Sequence, residues 1–263
     1  MNEKTAYTVI RPESEYENLV NITRNDLVGK RLFRVTSLDR FIQMLDTKKN
    51  VLPKVETWDD PWEMGLFKVN RKYIDDKGNE KTLTSKETKD IRDSYYGQCW
   101  SENEEETDLT WKIFVANSGL CVRYSMDALY LWDRFSESSD KGCFAGKVKY
   151  KSDDELKNYF SQPLKNFFDG KNRDLTESLF FKRDSFGHEK EYRLIYFEEK
   201  KADSPIYEFD IDIDAIDDAL VGSSKGIDEK LFSTVKTTLN KYGYTKEIER
   251  STYYEFPQII GNV

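Results

Sequence analysis

Short stretches typical of β-strands recur along almost the whole chain, and a few helical stretches separate them without strict alternation. Clear strand patterns are "RLFRVTS" at 31–37 and "YYGQCWS" at 95–101, while apolar residues at helical spacing mark 38–50 and 228–243. A parallel α/β sheet requires strands and helices to alternate, and this chain lacks that order. The pattern therefore predicts an α+β fold with a mixed or split antiparallel β-sheet core and flanking helices.

Other stretches carry weaker patterns. We interpret "CFAGKVKY" at 143–150 as one strand and "LTESLFFK" at 175–182 as a short helix that leads into the next strand. Helices are also expected at 109–118 and at 153–168, the second interrupted by a proline. The charged stretch at 68–93 is expected to be mobile, with a turn at "DDKGNE".

The domain organisation is expected to be simple. The 263 residues contain no internal repeat, no low-complexity tract and no Pro/Gly/Ser linker, and the hydrophobic share of 38% is enough for a sizeable core. We predict a polar N-terminal arm at 1–25 and one α+β domain with the character of a catalytic domain at 26–263.

The net charge disfavours one class of partner. Asp and Glu number 49 against 41 Lys and Arg, which gives a net charge of −8, whereas non-specific binding to nucleic acid needs an excess of basic residues. A local basic groove remains compatible with this balance. Neither a secretory signal nor a run of 18 apolar residues is present, so we expect a cytoplasmic protein without a membrane partner.

Several site chemistries lack their motifs. Three cysteines without CxxC spacing and a single histidine, His188, disfavour a zinc site, and we expect no metal cofactor. The chain has no GxGxxG, no GKS/T phosphate loop and no GxSxG elbow, which disfavours a Rossmann or P-loop nucleotide site and a serine-hydrolase triad.

The stretch "GHEKEYRLIYF" at 187–197 places charged residues at every second position of an expected strand. Alternation would put Glu189, Glu191 and Arg193 on one face and apolar residues on the other. This face could be solvated, with Arg193 paired to a neighbouring strand, or it could point into a functional site. The pattern alone leaves both interpretations open.

The turn "WDDPWE" at 58–63 also groups acidic residues. Asp59, Asp60 and Glu63 could bind a divalent cation, because hard cations favour clustered carboxylates. We favour a turn or helix start instead, since Pro61 directly follows Asp60.

Five blocks in order resemble a known family: "LFRVTS", "WDDPWE", "YGQCWS", "DLTWKIF…GLCVRYS" and "FFKRDSFGHEKEYRLI". They are similar to the successive motifs of a widespread bacterial family catalogued as a domain of unknown function (DUF2971), over about residues 30 to 225. That family assigns no activity, so the chemistry has to be argued from the residues.

The same blocks resemble, more distantly, the Arg–Ser–Glu motifs of ADP-ribosyltransferases. The matching positions are Arg34 in an early strand, Ser101 at the end of a middle strand, and Glu189 and Glu191 in a late Glu-x-Glu. Ser101 lies in "CWSE" rather than in the family's Ser-Thr-Ser. The resemblance implies an ADP-ribosyltransferase-like fold in which the three strands meet at one cleft.

The resemblance also implies roles for these residues. Glu191 would be the catalytic carboxylate, Ser101 would orient it, and Glu189 would act on the acceptor. NAD would be the substrate, and the residues expected to contact it are Arg34, Thr36, Trp100 and Arg193. A carboxylate can stabilise the sugar cation that forms when the nicotinamide–ribose bond breaks, and an arginine can bind the pyrophosphate, so neither a metal nor a histidine is required.

The tryptophans are expected to serve mainly in core and rim packing, because tryptophan buries a large area wherever it can. At least one is expected beside Glu191, where it would shield the sugar cation from water. The candidates are Trp58, Trp62, Trp100 and Trp111.

Three function classes follow. The first is an NAD-consuming transferase that moves ADP-ribose onto a protein or nucleic acid, as a bacterial toxin or phage-defence effector with a possible antitoxin partner. The second is hydrolytic, either an NAD glycohydrolase or a metal-dependent nuclease that uses "WDDPWE". The third is a non-catalytic sensor or interaction module with the same fold.

Overall fold

The computed structural model describes residues 16–75, 77–107, 111, 119–138, 142–164, 173–198, 204–223 and 226–254. Within these residues the strands are β1 Leu19–Val20, β2 Arg31–Ser37, β3 Lys49–Pro53, β4 Arg71–Ile74, β5 Glu80–Leu83, β6 Tyr95–Ser101, β7 Cys121–Asp127, β8 Cys143–Lys147, β9 Lys149–Lys151, β10 Phe181–Arg183, β11 Glu191–Phe197, β12 Ile206–Asp210, β13 Asp217–Gly222 and β14 Ile248–Arg250. The α-helices are α1 Leu38–Thr47, α2 Ser85–Arg92, α3 Ala128–Glu137, α4 Asp153–Ser161, α5 Arg173–Ser178 and α6 Glu229–Lys241.

Local sequence explains where several helices begin. The Thr84 side chain accepts a hydrogen bond from the Glu87 backbone N–H at 3.3 Å, and the Glu87 carboxylate accepts one from the Thr84 N–H at 2.8 Å. This capping box starts α2, and Ser152 with Glu155 starts α4 in the same way. None of the described helices is long and apolar enough to cross a membrane.

The chain divides into two compact units, each described here by itself. The first unit comprises the described parts of Met1–Lys30, Val51–Glu102 and Asp127–Asp210. Its strands follow the order β1-β8-β11-β6, with β11 antiparallel to both β6 and β8 and β1 parallel to β8. β11 is thus flanked on both sides, and its residues are fixed by two ladders of backbone hydrogen bonds.

One face of β11 lies on the core of the first unit. Ile195 and Phe197 belong to a cluster of buried residues that also includes Tyr95, Phe144 and Phe180. Smaller pairs of strands in this unit include the antiparallel hairpin β4–β5 and the parallel pair β9–β10. In the second pair, Lys182 lies opposite Tyr150.

The second unit comprises the described parts of Arg31–Asn50, Asn103–Met126 and Ile211–Val263. Its strands follow the order β2-β7-β13-β14, with β13 antiparallel to β7 and parallel to β14. This unit contains a smaller cluster of buried residues, which consists of Val35, Trp111, Cys121 and Leu220.

The α+β class with a mixed sheet is confirmed, and the strands expected at 31–37 and 95–101 have the expected bounds. Two local expectations were wrong. The stretch 143–150 forms two strands in different sheets, β8 and β9, because the chain leaves the β11 ladder at Val148. Residues 181–183 at the end of the expected helix 175–182 are strand β10.

The stretch 68–93 holds the hairpin β4–β5 and helix α2, and its expected mobility stays a prediction. Most of its charged residues lie on the solvent side of these elements, while Arg71, Leu83 and Thr88 are buried. The turn at "DDKGNE" is confirmed for the described residues, where the Asp75 carboxylate accepts hydrogen bonds from the Lys77 and Asn79 N–H groups.

Most of the helix expected at 109–118, part of the one at 153–168 and positions 1–15 of the expected arm lie outside the described residues. Within 1–25, Leu19 and Val20 are buried in β1. The division into an arm and a single domain stays a prediction.

Gly146 tests the packing of β1 on β8. A Cβ at Gly146 would lie 2.0 Å from the Val20 carbonyl oxygen, whereas one at Gly187 would lie 3.9 Å from its nearest neighbour, in Tyr150. We expect Gly146→Ala to lower the free energy of unfolding by about 1–3 kcal/mol, because a backbone obstacle can move only by separating the strands. Gly187→Ala should change it by less than about 0.5 kcal/mol. Urea unfolding measures both, and equal midpoints would contradict the close approach.

Candidate active site

The face of β11 that carries Glu191 and Arg193 is buried rather than solvated. It continues into Ile195 and Phe197 of the core, and the side chains of Arg193 and Glu191 are 0% and 11% exposed. Charged groups withdrawn from water to this extent are stable only when paired and hydrogen-bonded. The solvated-face interpretation of "GHEKEYRLIYF" was therefore wrong for these two residues.

Glu189 reaches the same place by a different route from the one expected. It ends a 3-10 helix, Asp184–Glu189, and Lys190 then adopts a left-handed conformation with φ 45° before β11 begins. The Ser101 hydroxyl donates to the Glu189 carbonyl oxygen at 2.7 Å, and the Glu102 N–H donates to that of Lys190 at 3.1 Å. The end of β6 thus fixes the backbone that carries both glutamates.

Lys182 joins three carboxylates. Its Nζ lies 2.5 Å from Glu189 Oε2, 2.8 Å from Glu191 Oε1 and 3.1 Å from Glu63 Oε1. The strand β10 directs this side chain inward, and the Phe186 ring lies 4.7 Å from the ammonium group. Lys182 therefore neutralises part of the charge of both glutamates.

Arg193 holds the other oxygen of Glu191. Its Nε and Nη2 donate to Glu191 Oε2 at 2.8 and 2.5 Å, and Nη2 also lies 2.7 Å from Glu63 Oε1. Nη1 donates to the Leu179 carbonyl oxygen at 2.5 Å, and Trp58 covers the guanidinium at 4.5 Å. We call the five residues Glu63, Lys182, Glu189, Glu191 and Arg193 the carboxylate cluster.

The cluster contains three carboxylates and two cations, and the pKa values of its two neighbouring glutamates move apart. Burial opposes ionisation of Glu191, but the charges of Arg193 and Lys182 outweigh it and lower its pKa to about 2. Burial, together with the hydrogen bond to Glu191, raises the pKa of Glu189 to about 7. Near neutral pH one carboxylate is therefore ionised while the other can take up or release a proton.

The turn "WDDPWE" contributes Glu63 to this cluster rather than a metal site. Asp60 accepts a hydrogen bond from the Trp62 N–H at 3.1 Å and pairs with Arg183 at 3.3 Å, which is the turn role expected for it. The Glu63 carboxylate instead forms ion pairs with Lys182 and Arg193. Among the residues that the structure describes, no three His, Cys, Asp or Glu side chains are arranged so that they could hold a metal ion.

The residues expected to contact NAD have different surroundings. In the first unit, Trp100 is buried and its indole N–H donates to Gln98 at 2.7 Å. In the second unit, Arg34 Nη1 donates to the Tyr124 hydroxyl at 3.3 Å, and Thr36 lies two residues further along β2. Contacts of these residues and of Arg193 with NAD stay predictions, as does the cleft expected to unite the three strands.

Trp58 covers the guanidinium of Arg193, which holds Glu191, and the expected shielding of a sugar cation by a tryptophan stays a prediction. Trp100 and Trp111 are buried in the packing role expected for them.

Lys182 and Glu63 were missed as site residues. Lys182 falls in the stretch interpreted as a helix, and Glu63 was considered only for a metal. Tyr150 was missed as well, although its hydroxyl accepts a hydrogen bond from the Glu191 N–H at 2.8 Å. Its partner lies 41 positions away, so no local pattern could indicate the contact.

An open depression of about 630 Å³ lies in the second unit and is lined by residues of α1, by Asp212–Asp214 and by the end of α6. None of its lining residues belongs to the carboxylate cluster. We base the candidate site on the cluster, because paired charges and shifted pKa values carry chemistry that an open depression alone does not.

Comparisons with known proteins give little further guidance. No protein-family model and no curated protein matches the chain. A solved structure of DarT from Thermus sp. 2.9, in complex with ADP-ribosylated ssDNA, is similar to 84% of this chain and 92% of its own, with a TM-score of 0.34 and 10% identity. That TM-score is too low for the likeness to decide either fold or function. The two family resemblances found in the sequence stay predictions.

The raised pKa of Glu189 predicts a specific pH dependence of stability. A carboxyl whose pKa is about 7 when folded and 4.5 when unfolded keeps its proton longer in the folded state, so stability falls as pH rises from 4.5 to 7. Glu189→Gln cannot lose that proton. Between pH 4.5 and 7 the free energy of unfolding of Glu189→Gln should therefore rise by about 2–3 kcal/mol relative to that of the parent. Above pH 7 the difference between the two proteins should stay constant.

Urea midpoints of parent and Glu189→Gln at pH 5, 6, 7 and 8 measure the effect. Glu80→Gln, at an exposed pair with Lys72, is the control and should follow the parent. Parallel curves for parent and Glu189→Gln would contradict the raised pKa.

Proposed function

We propose that the chain is an ADP-ribosyltransferase-like enzyme that transfers ADP-ribose from NAD at the carboxylate cluster. The observation that carries this proposal is the pair Glu189 and Glu191, whose carboxylates lie 2.5 and 2.8 Å from the same Lys182 ammonium group. Burial raises the pKa of Glu189, whereas against burial the charges of Arg193 and Lys182 lower the pKa of Glu191. Transfer of a glycosyl group to an acceptor needs one carboxylate that stays ionised and one group that accepts a proton near neutral pH.

Glu191 is the group that stabilises the sugar cation. The bond between the nicotinamide nitrogen and the ribose C1′ breaks, its electron pair leaves with neutral nicotinamide, and positive charge develops on the ribose. Oε2 of Glu191 already accepts two hydrogen bonds from Arg193, but Oε1 accepts one from Lys182 and can accept another from a ribose hydroxyl. A carboxylate held in place before the reaction stabilises the charge as it develops.

Glu189 is the general base on the acceptor side. Its side chain is 22% exposed, twice as much as that of Glu191, so it is the more accessible member of the pair. It takes the proton from the attacking hydroxyl or amine as the new bond to C1′ forms. A pKa of about 7 is well matched to this role at neutral pH.

Lys182, Arg193 and Ser101 are positioning residues in this proposal. Lys182 and Arg193 orient the Glu191 carboxylate, and Ser101 holds the Glu189 backbone. The role of Ser101 resembles the one expected from the sequence, with the contact made to Glu189 rather than to Glu191. Arg34, Thr36 and Trp100 are proposed to contact NAD, as expected from the ADP-ribosyltransferase motifs.

The acceptor is proposed to be a protein or a nucleic acid, which would suit a toxin or phage-defence effector with a possible antitoxin. An NAD glycohydrolase would use the same pair with water as the acceptor. The nuclease alternative is disfavoured, because the carboxylates of Asp60 and Glu63 are already paired with Arg183, Lys182 and Arg193.

Glu191→Gln tests the central role. It keeps the shape of the side chain but removes the charge and one of the two acceptor oxygens, so nicotinamide release from NAD should fall about 10²–10³-fold. Chromatographic assay of nicotinamide measures the rate, and circular dichroism checks that the variant is folded. The control is Glu80→Gln, which should keep full activity. A folded Glu191→Gln with the activity of the parent would contradict the proposal.

Glu189→Gln separates the two carboxylates. Transfer of ADP-ribose to an acceptor should fall at least tenfold, because the general base is lost, while slow release of nicotinamide to water persists. Incorporation of labelled NAD into cell lysate, compared with free nicotinamide, measures both rates. An equal loss in the two assays would assign Glu189 to cation stabilisation or to structure. No turnover of NAD by the parent would overturn the function itself.

A further inference from the structure

Among the described residues, three arginines are buried: Arg71, Arg123 and Arg193. Arg193 is paired with Glu191 and Glu63, and Arg123 Nη2 donates to the carbonyl oxygens of Asn103 and Glu104. No ion pair of the Arg71 side chain and no hydrogen-bond partner of its Nε and Nη2 atoms is present among the residues that the structure describes. Since a buried guanidinium is costly without a partner, Arg71 needs a separate explanation.

The two donors without a partner are Nε and Nη2 of Arg71. These nitrogens form one side of the planar guanidinium, with parallel N–H groups that match two oxygens of a phosphate or carboxylate. The residue is 4% exposed and lies at the start of β4, opposite Leu83 of β5. Strand β4 therefore holds the fork at a position whose partner residue in β5 is buried.

Aromatic side chains cover this arginine. Its Cζ lies 6.0 Å from the centre of the Phe160 ring, and Tyr159 is its electrostatic neighbour. Both rings are half-exposed, so the guanidinium lies one side chain below the surface. Phe160 in turn packs on Gly65, where a Cβ would lie 2.4 Å from the ring. Burial lowers the pKa of Arg71, and no carboxylate among the described residues counteracts it.

We propose that the Nε–Nη2 edge of Arg71 binds a phosphate group, free or carried by a nucleotide. A phosphate supplies two oxygens at the spacing of the fork and the negative charge that the site lacks. This site shares no residue with the carboxylate cluster, and its test needs no turnover of NAD.

Arg71→Met, which removes the charge and keeps most of the volume, is the first test. Without ligand, the variant should melt about 2–4 °C above the parent, because it removes a buried charge that has no partner in the chain. Arg123→Met is the matched control and should melt below the parent, since it leaves two carbonyl oxygens without their donor. An Arg71→Met protein that is less stable than the parent, or does not fold, would overturn the proposal by showing that Arg71 has an internal partner.

Ligand titration is the second test. Inorganic phosphate and AMP, at ionic strength matched with sodium chloride, should each raise the melting temperature of the parent saturably and leave that of Arg71→Met unchanged. Arg71→Lys keeps the charge but not the fork, and should need at least tenfold more phosphate for the same shift. Tighter binding of AMP than of phosphate would assign the site to nucleotides, and equal binding would assign it to free phosphate. Equal shifts in parent and Arg71→Met would overturn the proposal.

Discussion

The buried guanidinium of Arg193 is the constraint on which the rest of the first unit depends. An ionised group with no exposed surface costs on the order of several kcal/mol in lost hydration, and only close carboxylates and good hydrogen bonds offset it. Glu191 comes from the same strand, whereas Glu63 comes from a distant turn. The turn and the strand must therefore both be in place before the charge is stable.

This requirement explains the unequal carboxylates. Three acids share two cations, so one acid is left with less compensation than the others. Glu191 lies between Lys182 and Arg193 and stays ionised, while Glu189 contacts Lys182 and faces its neighbour's negative charge. The proton is thus held by the more exposed residue, where an acceptor could reach it. Arg71 presents the opposite case, a buried cation that pairs with no acid in the part of the chain that the structure describes.

Backbone geometry sets this arrangement as firmly as charge does. β11 lies between β6 and β8, and both ladders fix the height of Glu191 in the sheet. Lys190 takes the left-handed conformation that most residues avoid, and the hydrogen bond from Glu102 holds its carbonyl oxygen. The change of chain direction at this residue lets Glu189 contact Lys182 although Glu189 lies outside the strand.

The sequence by itself determined the α+β class and the strands β2 and β6, and it singled out Glu189, Glu191 and Arg193 as candidates, because periodicity and charge spacing are local properties. Only the tertiary structure decided that the charged face is buried, that Lys182 lies on a strand and that Glu63 joins the cluster. These facts depend on contacts between segments 9 to 130 positions apart. A carboxylate's pKa depends on which charges surround it in space, and no spacing along the chain contains that information.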